Sequence, residues 1–187
     1  GEPEPSVAAE KTGRLARLAG GSVTVRYGDT LVLGTGNRSA PRQGLDFFPL
    51  TVDYLEKIYA AGKIPGGFFK RERGMTEREV LTSRFIDRAL RPLFPDGYRD
   101  ETQVTAQVLS ADRDYDTDVL AFVGASAAVM ISDVPFPAPI AAVRVSRVDG
   151  KLIANGTLAE IEAADLNIIV AGSRDALVMV EGGAKQV

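Results

Sequence analysis

The chain has 187 residues, 45% apolar and 25% charged, with a formal net charge of −3; this suits one domain with a real hydrophobic core, or a core plus a small appendage. It contains neither cysteine nor histidine, which excludes a disulfide framework, thiolate or imidazole metal ligands, a histidine general base and a Ser-His-Asp triad. Hydrolytic or phosphoryl chemistry would have to draw on carboxylates, Lys, Arg and a hard cation such as Mg²⁺.

The start, Gly1-Glu2-Pro3-Glu4-Pro5, is acidic and proline-rich, without the character of a signal peptide. The missing initiator Met points to a fragment or a processed chain, and residues 1–11 are expected to form a flexible acidic tail. No apolar run reaches the length of a membrane span, so a cytoplasmic protein with no membrane partner is expected.

Two β-type runs follow, 22–27 and 30–36, separated by Gly28-Asp29, a two-residue hairpin signal. A polar loop over 37–46 leads to an extended apolar pattern at 47–53. Residues 54–62 fit either strand or loop. Residues 63–74 are rich in glycine and proline and read as loop.

Inside that loop lies residues 66–73, Gly-Gly-Phe-Phe-Lys-Arg-Glu-Arg. Adjacent aromatics on a regular strand alternate faces, so Phe68 and Phe69 do not both reach one core that way. Beside Lys70, Arg71 and Arg73, a free ring could stack on a nucleotide base while the cations meet its phosphates. The plainer alternative is a turn with buried rings and solvated charges.

Residues 76–90 carry the clearest helix pattern. Thr76 and Glu79 form a capping box, Leu81, Phe85, Ile86 and Ala89 recur at helical spacing, and Pro92 ends the helix. Arg84, Arg88 and Arg91 fall within roughly 60° of one another around its axis. They form either a phosphate- or carboxylate-binding surface or a solvated face, with Asp87 able to pair with Arg91 at i+4. Between positions 57 and 99 stand ten Lys/Arg against five Asp/Glu, a local +5, so the rest of the chain carries −8. Local charge is what a polyanion meets, because screening limits reach to about 10 Å, and the acidic whole-chain balance leaves room for RNA.

Further on, 103–110 alternates as a strand, 111–118 is an acidic loop, and 119–132 is a helix rich in Ala and Gly. Strands at 140–148 and 151–154 flank Asp149-Gly150, another hairpin signal. A helix at 157–164 carries a second capping box, Thr157 to Glu160. Strands at 166–171 and 176–181 flank a Gly-Ser-Arg-Asp turn. Hairpins outnumber crossovers, which indicates an α+β fold with a mixed or antiparallel sheet.

Phosphate-loop and zinc motifs are absent, and Gly34-Thr35-Gly36 is too short for a dinucleotide fingerprint. Asp112, Asp114, Asp116 and Asp118 alternate like a calcium loop. However, Thr117 stands where the sharp turn wants Gly, and no Glu closes the frame. The run reads as a solvated loop.

Three segments together carry a resemblance: 46–52 (Asp-Phe-Phe-Pro-Leu-Thr-Val), 59–72 around the Phe pair, and 81–95 (Leu-Thr-Ser-Arg-Phe-Ile-Asp-Arg-Ala-Leu-Arg-Pro-Leu-Phe-Pro). With Gly124-Ala125-Ser126-Ala127-Ala128 and Val170-Ala171-Gly172, they resemble the first RNase PH-like core domain of the polynucleotide phosphorylase family, over roughly residues 12–187. The resemblance implies a ribosomal-protein-S5-like fold, duplicated in each subunit of a homotrimeric ring that threads single-stranded RNA. That RNA is degraded from its 3′ end by inorganic phosphate with Mg²⁺, in cells sometimes alongside other RNA-degradation proteins. By the same resemblance Phe68, Phe69, Lys70 and Arg71 grip RNA at the channel constriction, and Arg84, Arg88 and Arg91 reach toward an active site in the second core domain.

No catalytic residue is carried over. The family's phosphate-binding serine turn aligns with Asp116-Thr117-Asp118, which would repel phosphate at short range, and its catalytic Asp and Lys fall at Asn167 and Ile169. Neither phosphate nor Mg²⁺ is therefore expected to bind this chain tightly. After the Phe pair the chain departs from the family's Arg-Glu-Gly-Arg-Pro, and the expected strand before Thr12 is replaced by the acidic tail, leaving an incomplete sheet edge. The implied function is an RNA-binding, ring-forming half of a phosphorolytic exoribonuclease. The alternatives are a self-sufficient single-domain enzyme of RNase PH type and a non-catalytic ring scaffold.

Overall fold

The computed structural model describes residues 8–66 and 74–185, with side chains from residue 13 onward. Two sheets divide the chain. The first contains β1 (Ala8–Thr12), β2 (Gly21–Tyr27), β3 (Thr30–Ser39), β4 (Leu50–Glu56) and β5 (Glu101–Ser110), in the order β1-β2-β3-β5-β4. Among the described strands only β4 and β5 run parallel, joined by the crossover helix α1 (Glu77–Leu90). The second sheet is antiparallel, with β6 (Ala141–Val148), β7 (Lys151–Ala154), β8 (Leu166–Gly172) and β9 (Leu177–Ala184) in the order β7-β6-β8-β9. Helix α2 (Asp118–Met130) lies between the sheets, and the short α3 (Leu158–Ala163) crosses from β7 to β8. This is the α+β architecture that the hairpin count indicated. No described helix is long and apolar enough to cross a membrane.

Strand alternation decides which side of the first sheet is covered. Along β3, Val32, Gly34 and Gly36 are buried while Leu31, Leu33 and Thr35 are partly exposed. Helix α2 lies against the buried side. Its residues Gly124, Ala125 and Ala128 meet Gly21, Gly34 and Gly36, and side chains larger than these would hold helix and sheet apart. Helix α1 covers β4 with Phe85, Ile86, Ala89 and Leu90, and Phe85 meets Phe122 of α2 at 5.1 Å between ring centroids. In the hairpin between β6 and β7, Asp149 and Gly150 both have positive φ (49° and 75°), the backbone that a type I′ turn requires.

Two expectations are corrected. Residues 8–11 are not tail: they belong to β1, which pairs antiparallel with β2, so the sheet edge has its strand. Their alternation is too short and too polar to stand out from the acidic start. In addition, the extended pattern at 47–53 enters a strand only at Leu50, because Phe48 instead joins an aromatic cluster with Phe94 and Tyr98. The undecided 54–62 resolves into the end of β4 and a 3₁₀ turn over Ile58–Ala61.

The capping box of α1 does more than cap. Glu79 is buried; its carboxylate accepts from Thr76 N at 2.7 Å and from Glu56 N at 2.9 Å, and so ties the helix start to the end of β4. Burial alone would raise its pKa, but these backbone donors and Lys57 outweigh it and hold the carboxyl below its ordinary 4.5. A lowered folded-state pKa contributes stability above the ordinary value, and that stability is lost as pH falls through it. Glu79→Gln leaves one buried N–H without an acceptor and is expected to cost about 1–3 kcal/mol at pH 7. The deficit should shrink as wild type is acidified below the carboxylate range. Urea unfolding of both proteins at pH 7 and pH 3.5 checks it; a pH-independent gap would refute the assignment.

Candidate nucleic-acid interface and a closed polar centre

The three arginines of α1 differ in what they do. Arg84 is exposed and makes no ion pair among the described residues. Arg88 is exposed and loosely paired with Glu181 of β9 at 3.3 Å. Both border a groove of about 310 Å³ with Val52, Ser83 and Asp87. Arg91 is committed: it grips Asp87 in bidentate fashion at 2.8 and 2.6 Å and donates to the Phe48 and Leu50 carbonyls. Its guanidinium also lies over the Phe48 ring at 5.6 Å. The arginine row is therefore two outward cations and one structural fastener. Phe68, Phe69, Lys70 and Arg71 lie outside the described residues.

The acidic run is a further correction to the sequence reading. It is a solvated loop only in part, because Asp116 and Asp118 are largely buried, with side chains 16% and 13% exposed. Arg144 of β6, 8% exposed, reaches both carboxylates through one nitrogen, at 3.2 Å to Asp116 and at close range to Asp118. Its other terminal nitrogen donates to Asn167 of β8 at 3.1 Å. Arg78 of α1 pairs with Asp116 and with Glu56, the latter at 3.1 Å. The buried Tyr54 hydroxyl donates to Glu56 at 2.6 Å and contacts the Thr117 hydroxyl at 2.5 Å. Strand β4, both long helices and the second sheet thus meet in one polar centre.

Electrostatics follow from this geometry. Burial and the adjacent Asp116 charge push the Asp118 carboxyl up from its ordinary value, and the Arg144 guanidinium opposes the rise. Burial works against the charge on Arg78, but Asp116 and Glu56 outweigh it and raise its pKa. Burial, with help from Glu56, raises the Tyr54 phenol far above its ordinary value, so Tyr54 stays a neutral donor.

A cavity of about 660 Å³ opens beside this centre, lined by Leu81 and Phe85 of α1, Asp118, Arg144, Asn167, Ile169 and Glu181–Lys185 among others. The positions singled out by the resemblance, Asp118, Asn167 and Ile169, do converge on it. The residues present do not suit a resident metal or phosphate. Asn167 and Ile169 are weak or inert ligands, and the nearby carboxylates are held by guanidinium groups; no group of three or more Asp or Glu among the described residues is placed to hold a metal ion.

Sequence reasoning missed Arg144, Arg78 and Glu56. A signal existed for the first: Arg144 and Ser146 share one face of the strand with apolar Ala142 and Val148, and both are buried.

Comparison with known proteins accords with the geometry. A family model described as the 3′ exoribonuclease family, domain 1, matches residues 9–135, and the same family's domain 2 matches residues 138–187. The break between them falls between the two sheets. The chain is 60% identical over 178 residues to the polyribonucleotide nucleotidyltransferase of Anaeromyxobacter sp. (strain K) and 55% identical to that of Heliobacterium modesticaldum. Each alignment covers 95% of this chain and 25% of the relative, so the chain spans about a quarter of the curated relatives it matches. The crystal structure of rice (Oryza sativa) Rrp46 shares the fold, with a TM-score of 0.76 at 16% identity, covering 99% of this chain and 83% of that one.

Proposed function

The chain belongs to the 3′ exoribonuclease (RNase PH) family, and we propose that it is an RNA-gripping, ring-building half of a phosphate-dependent 3′-to-5′ exoribonuclease of the polyribonucleotide nucleotidyltransferase type. In this reading it supplies no reaction chemistry. Mg²⁺ and inorganic phosphate act at residues that a partner half provides, and three copies close the ring around single-stranded RNA.

The observation that carries the reading is the outward presentation of Arg84 and Arg88 on a helix fixed at both ends. This helix directly follows the Phe-Phe-basic segment in sequence. Arg84 has no ion pair among the described residues and Arg88 only an exposed contact to Glu181 at 3.3 Å, so both cations are available to phosphates, and the rings that precede the helix in sequence can stack on bases. The chemistry of the polar centre supports the other half of the reading, since a carboxylate, Asp118, lines the cavity where a phosphate would need donors.

The test is filter binding of labelled poly(A) at fixed salt. Phe68→Ala with Phe69→Ala should weaken binding by about 1–3 kcal/mol per lost base stack. Arg84→Ala should weaken it by severalfold and flatten the salt dependence by about one phosphate contact. Arg91→Ala should instead cost stability. Wild-type affinity in the Phe and Arg84 variants would refute the RNA grip. Phosphate-dependent release of nucleoside diphosphates by the 187-residue chain alone would refute the non-catalytic part.

A further inference from the structure

Two carboxylates bear on the arginine row of α1. Asp87, on the helix itself, is spent, with both its oxygens held by Arg91 at 2.8 and 2.6 Å. Glu181 comes from β9, 93 residues beyond Arg88, and meets it through a single nitrogen at 3.3 Å. Among the described residues neither Glu181 nor Arg88 makes another ion pair. Strand register fixes the aim of Glu181. It pairs with Ile169 and shares its face of β9 with the buried Met179, so its side chain points in toward α1. Glu181 lines the cavity of about 660 Å³, while Arg88 lines the groove of about 310 Å³. Their ion pair stands on the border between the two.

The pair is easily opened. Its side chains are 61% and 49% exposed, and its one contact is longer than either of those between Arg91 and Asp87. An exposed pair with a single contact adds little to stability, so the packing of α1 against β9 does not need it. What the pair does is keep a counter-charge beside Arg88. An arriving phosphate has to displace that carboxylate, and the carboxylate takes the guanidinium back when the phosphate leaves. A polymer that is held and still has to advance needs contacts that exchange in this way. We propose that Glu181 is the exchange partner of Arg88: it competes with RNA phosphates for this guanidinium and so sets how fast the strand is released. The inference rests on the RNA grip proposed above, and Arg84, which Glu181 does not pair with, tells the two apart.

The test measures equilibrium binding of labelled poly(A) to the whole chain, and its dissociation after a chase of unlabelled poly(A). The variants are Glu181→Gln, Arg88→Ala, the two combined, Arg84→Ala and Asp175→Asn. Asp175 lies in the turn before β9, more than about 13 Å from Glu181 along the strand, beyond the screening reach of about 10 Å. Its loss changes the net charge equally without touching Arg88.

Glu181→Gln should bind poly(A) about two- to fivefold tighter, through slower dissociation. Its salt dependence should steepen by up to about one phosphate contact, and its thermal midpoint should stay that of wild type. The combined variant should lose the gain and match Arg88→Ala, and Asp175→Asn should show no gain. Weakened binding in Arg84→Ala beside unchanged binding in Glu181→Gln would overturn the exchange role and leave the RNA grip standing. A gain that persists without Arg88, or that Asp175→Asn reproduces, would reduce Glu181 to bulk charge and overturn it too. Wild-type binding in Arg84→Ala and Arg88→Ala alike would remove the grip and the exchange with it. A fall in midpoint for Glu181→Gln as large as that for Arg91→Ala would make the pair a structural fastener instead.

Discussion

Gly34→Ala is expected to destabilise the protein by about 3 kcal/mol, at the upper end of what one added methyl group does in a packed interior. A Cβ built at Gly34 would lie 2.2 Å from the Gly124 carbonyl oxygen, 2.6 Å from its carbon and 3.3 Å from Ala125 N. All three are backbone atoms of α2, so no rotamer change relieves the clash. The helix would have to rise from β3, and the buried contacts of Val32, Ala125 and Ala128 would loosen with it. Graded controls lie in the same chain. At Gly36 the nearest atoms stand at 3.2–3.3 Å, and at Gly183 nothing lies within 4 Å. Urea midpoints should therefore fall steeply for Gly34→Ala, moderately for Gly36→Ala and hardly at all for Gly183→Ala. A Gly34→Ala protein as stable as Gly183→Ala would contradict the close approach of α2 to the sheet.

Arg144→Ala is expected to cost about 3–5 kcal/mol at neutral pH, the usual penalty for removing one partner of a buried ion pair. The loss has two parts. Asp118 keeps its burial but loses its guanidinium, and Asn167 loses a donor at 3.1 Å. Because burial already raises the Asp118 carboxyl, the cost should shrink as pH falls and Asp118 takes up a proton. Calorimetric unfolding at pH 7 and pH 5 checks both the size and this sign. An undiminished gap at pH 5 would place the damage in packing, not in charge. Arg144→Lys, which keeps the charge but not the fork, should fall between.

Much of the architecture was legible because its local signals agree with one another. The Thr76–Glu79 and Thr157–Glu160 boxes mark helix starts that the structure reproduces, with both reciprocal hydrogen bonds formed in each. Asp149-Gly150 and Gly28-Asp29 mark hairpins that pair as Val148 with Lys151 and Tyr27 with Thr30. What stayed hidden is non-local. Nothing near residues 8–12 announces that they find β2, because strand pairing is settled by a partner elsewhere in the chain.

The same holds for the candidate site. The arginine row was visible from helical spacing, but spacing alone treats Arg84, Arg88 and Arg91 alike. Only the positions of Asp87, Phe48 and Leu50 show that Arg91 is occupied. The aspartate run looked solvated since its neighbours in sequence are polar; its counter-charge, Arg144, arrives from a strand 26 residues beyond Asp118. The part of the Phe-Phe-basic stretch over residues 67–73 lies outside the described residues, so its assignment rests on sequence and on the binding test above.

Helix α1 is fastened to one strand at two points. Glu79 holds the end of β4 through Glu56 N, and Arg91 holds its beginning through the Phe48 and Leu50 carbonyls. A rod clamped at both ends does not swivel. A pull on Arg84 from a bound polymer would pass straight into β4 and, through its parallel pairing with β5, into the rest of the first sheet. The load would be carried by the whole sheet instead of peeling one helix away.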